Sequence, residues 1–195
     1  MLEQDENALK NFNRATRLNP NNYEGFLGKA IIELDAHDTV AALADYGKAI
    51  TLNADCKPCL STRARVYMNK GNYPAAIKDF DKCIKLDPSH AGYYHDRGLA
   101  NFHMKNYDNA MSDYTKSIAL QPDSTRSLVN RGLLHGMMGH EAEALLDLTK
   151  AVQVKPSADN YYNKGYAEYQ FKKYEEAVVS FDKCLQLDKT ISKAY

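Results

Sequence analysis

The sequence predicts an all-α solenoid of antiparallel helix pairs, and three periodic features predict it. Six alanines, Ala8, Ala42, Ala76, Ala110, Ala144 and Ala177, are separated by 34 residues four times and by 33 once. A period in this range marks stacked supersecondary units, each too small to bury its own apolar face. Other positions keep the beat. Four residues after each alanine stands a large apolar residue (Phe12, Tyr46, Phe80, Tyr114, Leu148, Phe181), and three further a small one (Ala15, Ala49, Cys83, Ser117, Ala151, Cys184). Three further again is an aliphatic residue (Leu18, Leu52, Leu86, Leu120, Val154, Leu187). Offsets of three and four trace one face of a helix. The third feature lies upstream: twelve residues before the last five alanines sits a small residue (Ala30, Ala64, Gly98, Gly132, Gly165), preceded at four residues by a bulky one (Phe26, Leu60, Tyr94, Leu128, Tyr161).

Taken in order, these beats give each unit a first helix, a tight turn, a second helix and a short loop, the helices of about fourteen residues and so roughly 21 Å long. Residues 1–22 hold a second helix only; full units follow at 23–56, 57–90, 91–124, 125–157 and 158–191, and 192–195 open another. In 57–90 and 125–157 the turn is marked by Lys70-Gly71-Asn72-Tyr73 and Met138-Gly139-His140. Pro20, Pro88, Pro122 and Pro156 stand two residues past the aliphatic beat, where a residue that cannot continue a helix is expected; Ala54 and Lys189 take that place elsewhere. The glycines of the small beat cost roughly 1 kcal/mol each against alanine in a helix interior, which predicts close approach of a neighbouring helix there. The step of 33 shortens the loop before the last full unit, around Ser157-Ala158, and predicts a local change of superhelical twist at that joint.

The succession bulky, small, Ala-x3-aromatic, Pro at this period resembles the tetratricopeptide repeat. Tyr94, Gly98, Tyr107, Ala110, Tyr114 and Pro122 carry it in one unit, and Leu60, Ala64, Tyr67, Gly71, Tyr73, Ala76, Phe80 and Pro88 in another. The resemblance covers essentially the whole chain; the tryptophan often found at the bulky first-helix position is absent, the chain having no Trp. It implies a right-handed superhelix in which first helices line a concave surface and second helices form the outer wall. Both ends fall in mid-pattern, without a polar capping unit. The expectation is a fragment of a longer array, with further repeats of the parent chain among its partners and end-to-end self-association through the open ends.

Composition excludes several classes. Lys and Arg number 25 and Asp and Glu 25, so no global basic field calls for nucleic acid or anionic lipid. No apolar run approaches bilayer length, and Met1-Leu2-Glu3-Gln4-Asp5 is no signal peptide. Cys56-Lys57-Pro58-Cys59 has the spacing of a zinc or redox pair, but a second ligand pair for zinc and a strand-then-helix context for redox chemistry are missing. Cys83 and Cys184 fall on the small buried beat. Four thiols without a disulfide framework suit the cytoplasm. His95 and His103 share a helix face, but no HExxH motif, nucleophile elbow or phosphate loop accompanies them. Neither catalysis, nor a metal, nor a cofactor is expected.

What remains is the face off the beat. By the resemblance, the concave positions are Glu24, Leu27, Ile31 and Leu34; Ser61, Thr62, Arg65, Met68 and Asn69; His95, Asp96, Leu99, Phe102 and His103; Arg126, Val129, Asn130, Leu133 and Met137; and Tyr162, Asn163, Tyr166, Tyr169 and Gln170. Thr62, Asp96, Asn130 and Asn163 are equivalent, a partial version of the asparagine ladder with which some superhelical members of the family hold an extended peptide; solvated groove polars are the alternative. Ile31, Leu99, Leu133 and Tyr166 form an apolar line beside them, joined by Leu34, Met68, Phe102 and Tyr169, unless part of it is buried under second helices. The clamp by which family members grip acidic chaperone tails is not rebuilt. One register offers Ser61 and Arg65, Asp96, then Arg126 and Asn130; the next offers His95 and Leu99, Asn130, then Asp159 and Asn163. Asp96 would repel a carboxylate.

The expected function is thus a non-enzymatic scaffold that docks a protein segment, as peptide or helix, in its concave groove. The expected lining is His95, Asp96, Leu99, Phe102, Arg126, Asn130, Leu133, Tyr162, Asn163 and Tyr166. The alternatives are a structural spacer stacking through its ends, or the regulatory array of a larger enzyme.

Overall fold

The computed structural model describes residues 3–188. Among the described residues every regular element is an α-helix: α1 (Glu3–Leu18), α2 (Tyr23–Asp35), α3 (Thr39–Leu52), α4 (Lys57–Asn69), α5 (Tyr73–Leu86), α6 (Ala91–His103), α7 (Tyr107–Leu120), α8 (Thr125–Met137), α9 (Glu141–Val154), α10 (Ala158–Gln170) and α11 (Tyr174–Leu187). The chain forms two compact units, Met1–Pro88 and Ser89–Tyr195. The expected start of a further helix at 192–195, and Lys189, lie outside the described residues.

In the first unit α2 packs on α3 and α4 on α5, with α1 against α2 and α3 against α4. Ala30, Ala42, Tyr46, Ala49, Cys56 and Cys59 make one buried cluster; Ala64, Ala76 and Phe80 make another. Apart from Cys56 and Cys59, these are the alanine, large and small beats. In the second unit the pairs are α6–α7, α8–α9 and α10–α11, joined by contacts of α7 with α8 and α9 with α10. Its clusters centre on Ala110, Tyr114 and Leu134, and on Ile118, Leu128 and Ala151. At Gly98 an added Cβ would lie 2.9 Å from the Tyr114 ring and 3.0 Å from the Asp113 Cβ, so the glycine marks the close helix approach that its cost implies. The aliphatic beat is a correction. Leu18, Leu52, Val154 and Leu187 are exposed, whereas Leu86 and Leu120 are half-buried, although all six end their helices.

The turn inside each pair is built alike. His37, Gly71, Lys105, Gly139 and Lys172 hold positive φ angles of 60° to 78° at equivalent positions. The next residue's N–H then donates back to the carbonyl five residues earlier: Asp38 to Glu33, Asn72 to Tyr67, Asn106 to Asn101, His140 to His135 and Lys173 to Glu168, at 2.8–2.9 Å. This is the Schellman closure of a helix C-terminus. The shortened joint differs. Residues 155–157 connect α9 to α10, against four residues at 53–56 and 121–124, and Ser157 is extended with φ −119° and ψ 157°. Asn160 closes this joint, its side-chain amide donating to the Lys155 carbonyl at 2.7 Å.

The expectation of four free thiols fails. Cys56 and Cys59 form a disulfide, while Cys83 and Cys184 are free and buried. Cys56 is the N-cap of α4 and Cys59 lies one turn on, so helix geometry brings their Cα atoms to 5.3 Å, within bonding range. The inference of a cytoplasmic location from free thiols loses that support. No helix of the described residues is long and apolar enough to cross a membrane.

Candidate functional site

In the second unit α6 touches α8 and α8 touches α10, so three first helices lie side by side. Three hollows follow them. One of about 290 Å³ is lined by His95, Thr125, Arg126, Val129, Asn130, Lys155, Ser157, Asp159 and Asn160. A small one of about 80 Å³ is lined by Leu99, Phe102, Tyr114, Asn130 and Leu133. The third, of about 360 Å³, is lined by Phe102, Leu133, Gly136, Met137, Tyr166, Ala167, Gln170 and Phe171. Asn130 is common to the first two, and Phe102 and Leu133 to the last two, so the hollows adjoin as one trough. It is polar at Arg126 and Lys155 and apolar at Tyr166 and Phe171. Met137 (59% exposed) and Tyr166 (46%) stand open at the apolar end.

Of the residues expected at the site, the trough brings together His95, Leu99, Phe102, Arg126, Asn130, Leu133 and Tyr166. Asp96, Tyr162 and Asn163 line none of these hollows. Asp96 is buried at 8% exposure. Tyr162 turns its ring onto Phe181 and stacks on Tyr166 at 6.4 Å. Asn130 also interacts with the Tyr114 hydroxyl, so one amide faces both trough and core. Lys155 and Ser157 come from the α9–α10 joint and Asn160 from the first turn of α10, positions that the count of concave residues does not include.

His95 is 4% exposed and is tied into a serine network. Its Nδ1 lies 3.0 Å from the Ser127 Oγ, which is 2.8 Å from the Ser117 Oγ and accepts from the Ser124 hydroxyl at 3.0 Å. Ser127 can accept twice and donate once, so these three partners satisfy it. Burial pushes the imidazole pKa down to about 4; neighbouring Asp96 opposes this and Arg126 adds to it.

A charged ladder runs between the helices of each pair, sixteen residues apart. Lys29 bridges Asp45 at 2.7 Å, Arg63 bridges Asp79 through two bonds of 2.8 Å, and Arg131 bridges Asp147 at 2.7 and 2.8 Å. Arg97 and Asp113 make the equivalent pair. In the last pair Ser180 replaces the aspartate, and Glu168 supplies the carboxylate to both Lys164 and Ser180. In the sequence this ladder is present as a basic residue and an aspartate on the repeat beat, at positions off the concave face.

Residues 58–90 match one tetratricopeptide repeat model, and residues 91–124 and 158–191 match a second. The chain belongs to the tetratricopeptide repeat family. Solved structures carry the same fold. The MamA protein is 24% identical with a TM-score of 0.78, covering 88% of this chain and 94% of that one. YrrB, described as a TPR protein with an unusual peptide-binding site, is 21% identical with a TM-score of 0.76, covering 94% and 95%. A thermophilic TPR protein of Thermus thermophilus is 17% identical with a TM-score of 0.69, covering 89% and 95%. No curated protein matches the chain. As a tetratricopeptide repeat protein it is, at the level of the family, a protein-interaction scaffold.

Proposed function

We propose that this chain is a non-catalytic scaffold that holds a partner's peptide or helix in the trough of α6, α8 and α10. The continuity of the three hollows supports this reading: a polar mouth, a central carboxamide and an apolar floor follow one another along successive first helices. An apolar strip with a polar margin suits a segment bearing aromatic or aliphatic anchors. Affinity comes mainly from Phe102, Leu133 and Tyr166, and Asn130, shared by two of the hollows, fixes register. YrrB's described peptide-binding site lends the reading weight by likeness of fold.

The test is a random peptide library selected on the protein, with binding remeasured on Asn130→Ala and, outside the hollows, on Asn163→Ala. The Asn130 amide can donate and accept, and two lost hydrogen bonds at about 0.5–1.5 kcal/mol each predict an affinity drop of roughly tenfold in Asn130→Ala without loss of helicity, and no drop in Asn163→Ala. Unchanged affinity in Asn130→Ala removes its amide from the proposed site. A second reading, assembly through the last helix pair, rests on α11, where Tyr174, Val178 and Val179 are each more than half exposed. Solution mass measured against concentration separates the two.

A further inference from the structure

We propose a divalent transition-metal site at the α8–α9 turn, formed by His135 and His140. Their Nδ1 atoms face each other at 3.4 Å. That is long for a hydrogen bond to nitrogen. It matches the edge of a tetrahedron, since two imidazole nitrogens at 2.0–2.1 Å from one zinc ion stand about 3.3–3.4 Å apart. The pair is held in place by backbone, because the His140 N–H donates to the His135 carbonyl at 2.9 Å and so closes the turn. Ligands whose Cα atoms are fixed before the ion arrives lose little freedom on binding it.

Both residues depart from their equivalents. The place of His135 is filled by Glu33, Tyr67, Asn101 and Glu168, and that of His140 by Asp38, Asn72, Asn106 and Lys173. Asp38 and Asn72 cap their helices with the side chain; His140 makes no such bond, and its ring turns to His135 instead. Of the nearby carboxylates, Asp147 is engaged by Arg131 and Glu141 by Lys173. Glu143 stands at N3 of α9, from which a carboxylate reaches back over the N-cap. The described residues contain no ready group of three or more His, Cys, Asp or Glu ligands. The site therefore supplies two nitrogens, and water completes the sphere. Imidazole selects Zn²⁺, Ni²⁺ or Cu²⁺ over Mg²⁺.

The experiment is calorimetric titration of Zn²⁺ alone, and of Mg²⁺ alone, into the protein with its Cys56–Cys59 disulfide intact. One Zn²⁺ per chain and no Mg²⁺ are expected, with affinity at least tenfold weaker in His135→Gln and in His140→Asn and unchanged in His103→Gln. His140→Asn guards against misfolding, since asparagine fills this place in two other units. Equal Zn²⁺ binding by the original protein and both variants, or no Zn²⁺ binding below millimolar concentration, overturns the proposal.

Discussion

Asp113 shows how much of this protein's stability sits in single polar side chains. Its carboxylate is 5% exposed, and it accepts from the Arg97 guanidinium, at 3.0 Å from Nε, and from the Asn101 amide at 3.1 Å. Removing the charge leaves a guanidinium facing a neutral amide in a half-buried place. Asp113→Asn is expected to cost about 2 kcal/mol, between the loss of a charge-assisted bond and that of a fully buried pair, as measured by urea unfolding. A loss below about 0.5 kcal/mol would show the ladder to be an ordinary surface pairing. His95 carries the pH dependence. Its folded pKa of about 4 lies below the ordinary value of 6.5, so the unfolded chain takes up a proton as pH falls through 6.5 while the folded chain stays neutral. Stability from this group is complete above that pH and is lost between about 6.5 and 4, by at most about 3 kcal/mol. The difference in urea midpoint between pH 7.5 and 5 should shrink in His95→Asn; an unchanged difference assigns the dependence elsewhere. The ladder recurs on the repeat beat, but the serine network of His95 is not legible in the sequence, although its residues are in view. Periodicity identifies apolar faces by repetition, whereas a hydrogen-bond network is defined by mutual geometry, and Ser117 on the small beat looks like any other small core residue.

At the scale of the element, the helices and their turns follow closely from local chemistry. The small and large beats locate every pair, and Gly71 and Gly139 mark turns whose φ angles of 73° and 78° need a left-handed residue. The same turn is made without glycine at Lys105, with φ 62°. A left-handed residue with a Cβ costs roughly 1–2 kcal/mol, and Lys105 is exposed, so little packing is lost with its side chain. Lys105→Gly is expected to raise stability by about 1 kcal/mol, seen as a higher midpoint in thermal unfolding. A lower midpoint would mean that the lysine makes a contact worth more than the strain. The Cys56–Cys59 bond is not legible from the wider context by which redox and zinc motifs are judged. A disulfide asks only that two Cβ atoms approach, and the first turn of α4 arranges that. The aliphatic beat misleads for the opposite reason: helical spacing marks a face, but not where the partner helix stops covering it.

At the scale of the molecule, membership of the tetratricopeptide repeat family is legible from the alanine spacing together with the beats that accompany it, because every unit repeats the same packing problem. The trough is legible in part. Leu99, Phe102, Asn130 and Leu133 follow from counting along first helices, and they do meet in one place. Lys155 and Ser157 of the α9–α10 joint and Asn160 of the first turn of α10 also line the polar mouth, and counting along the concave face does not reach them. This trough of Ser89–Tyr195 is the surface proposed to receive a partner segment. The most direct measurement is amide chemical-shift mapping of the protein with a peptide selected from a random library, paired with its affinity for Leu133→Asp. Shifts concentrated at Phe102, Asn130, Leu133 and Tyr166 are expected, with an affinity at least tenfold weaker in the variant. Shifts confined to the second helices, with affinity unchanged in the variant, would contradict the proposal.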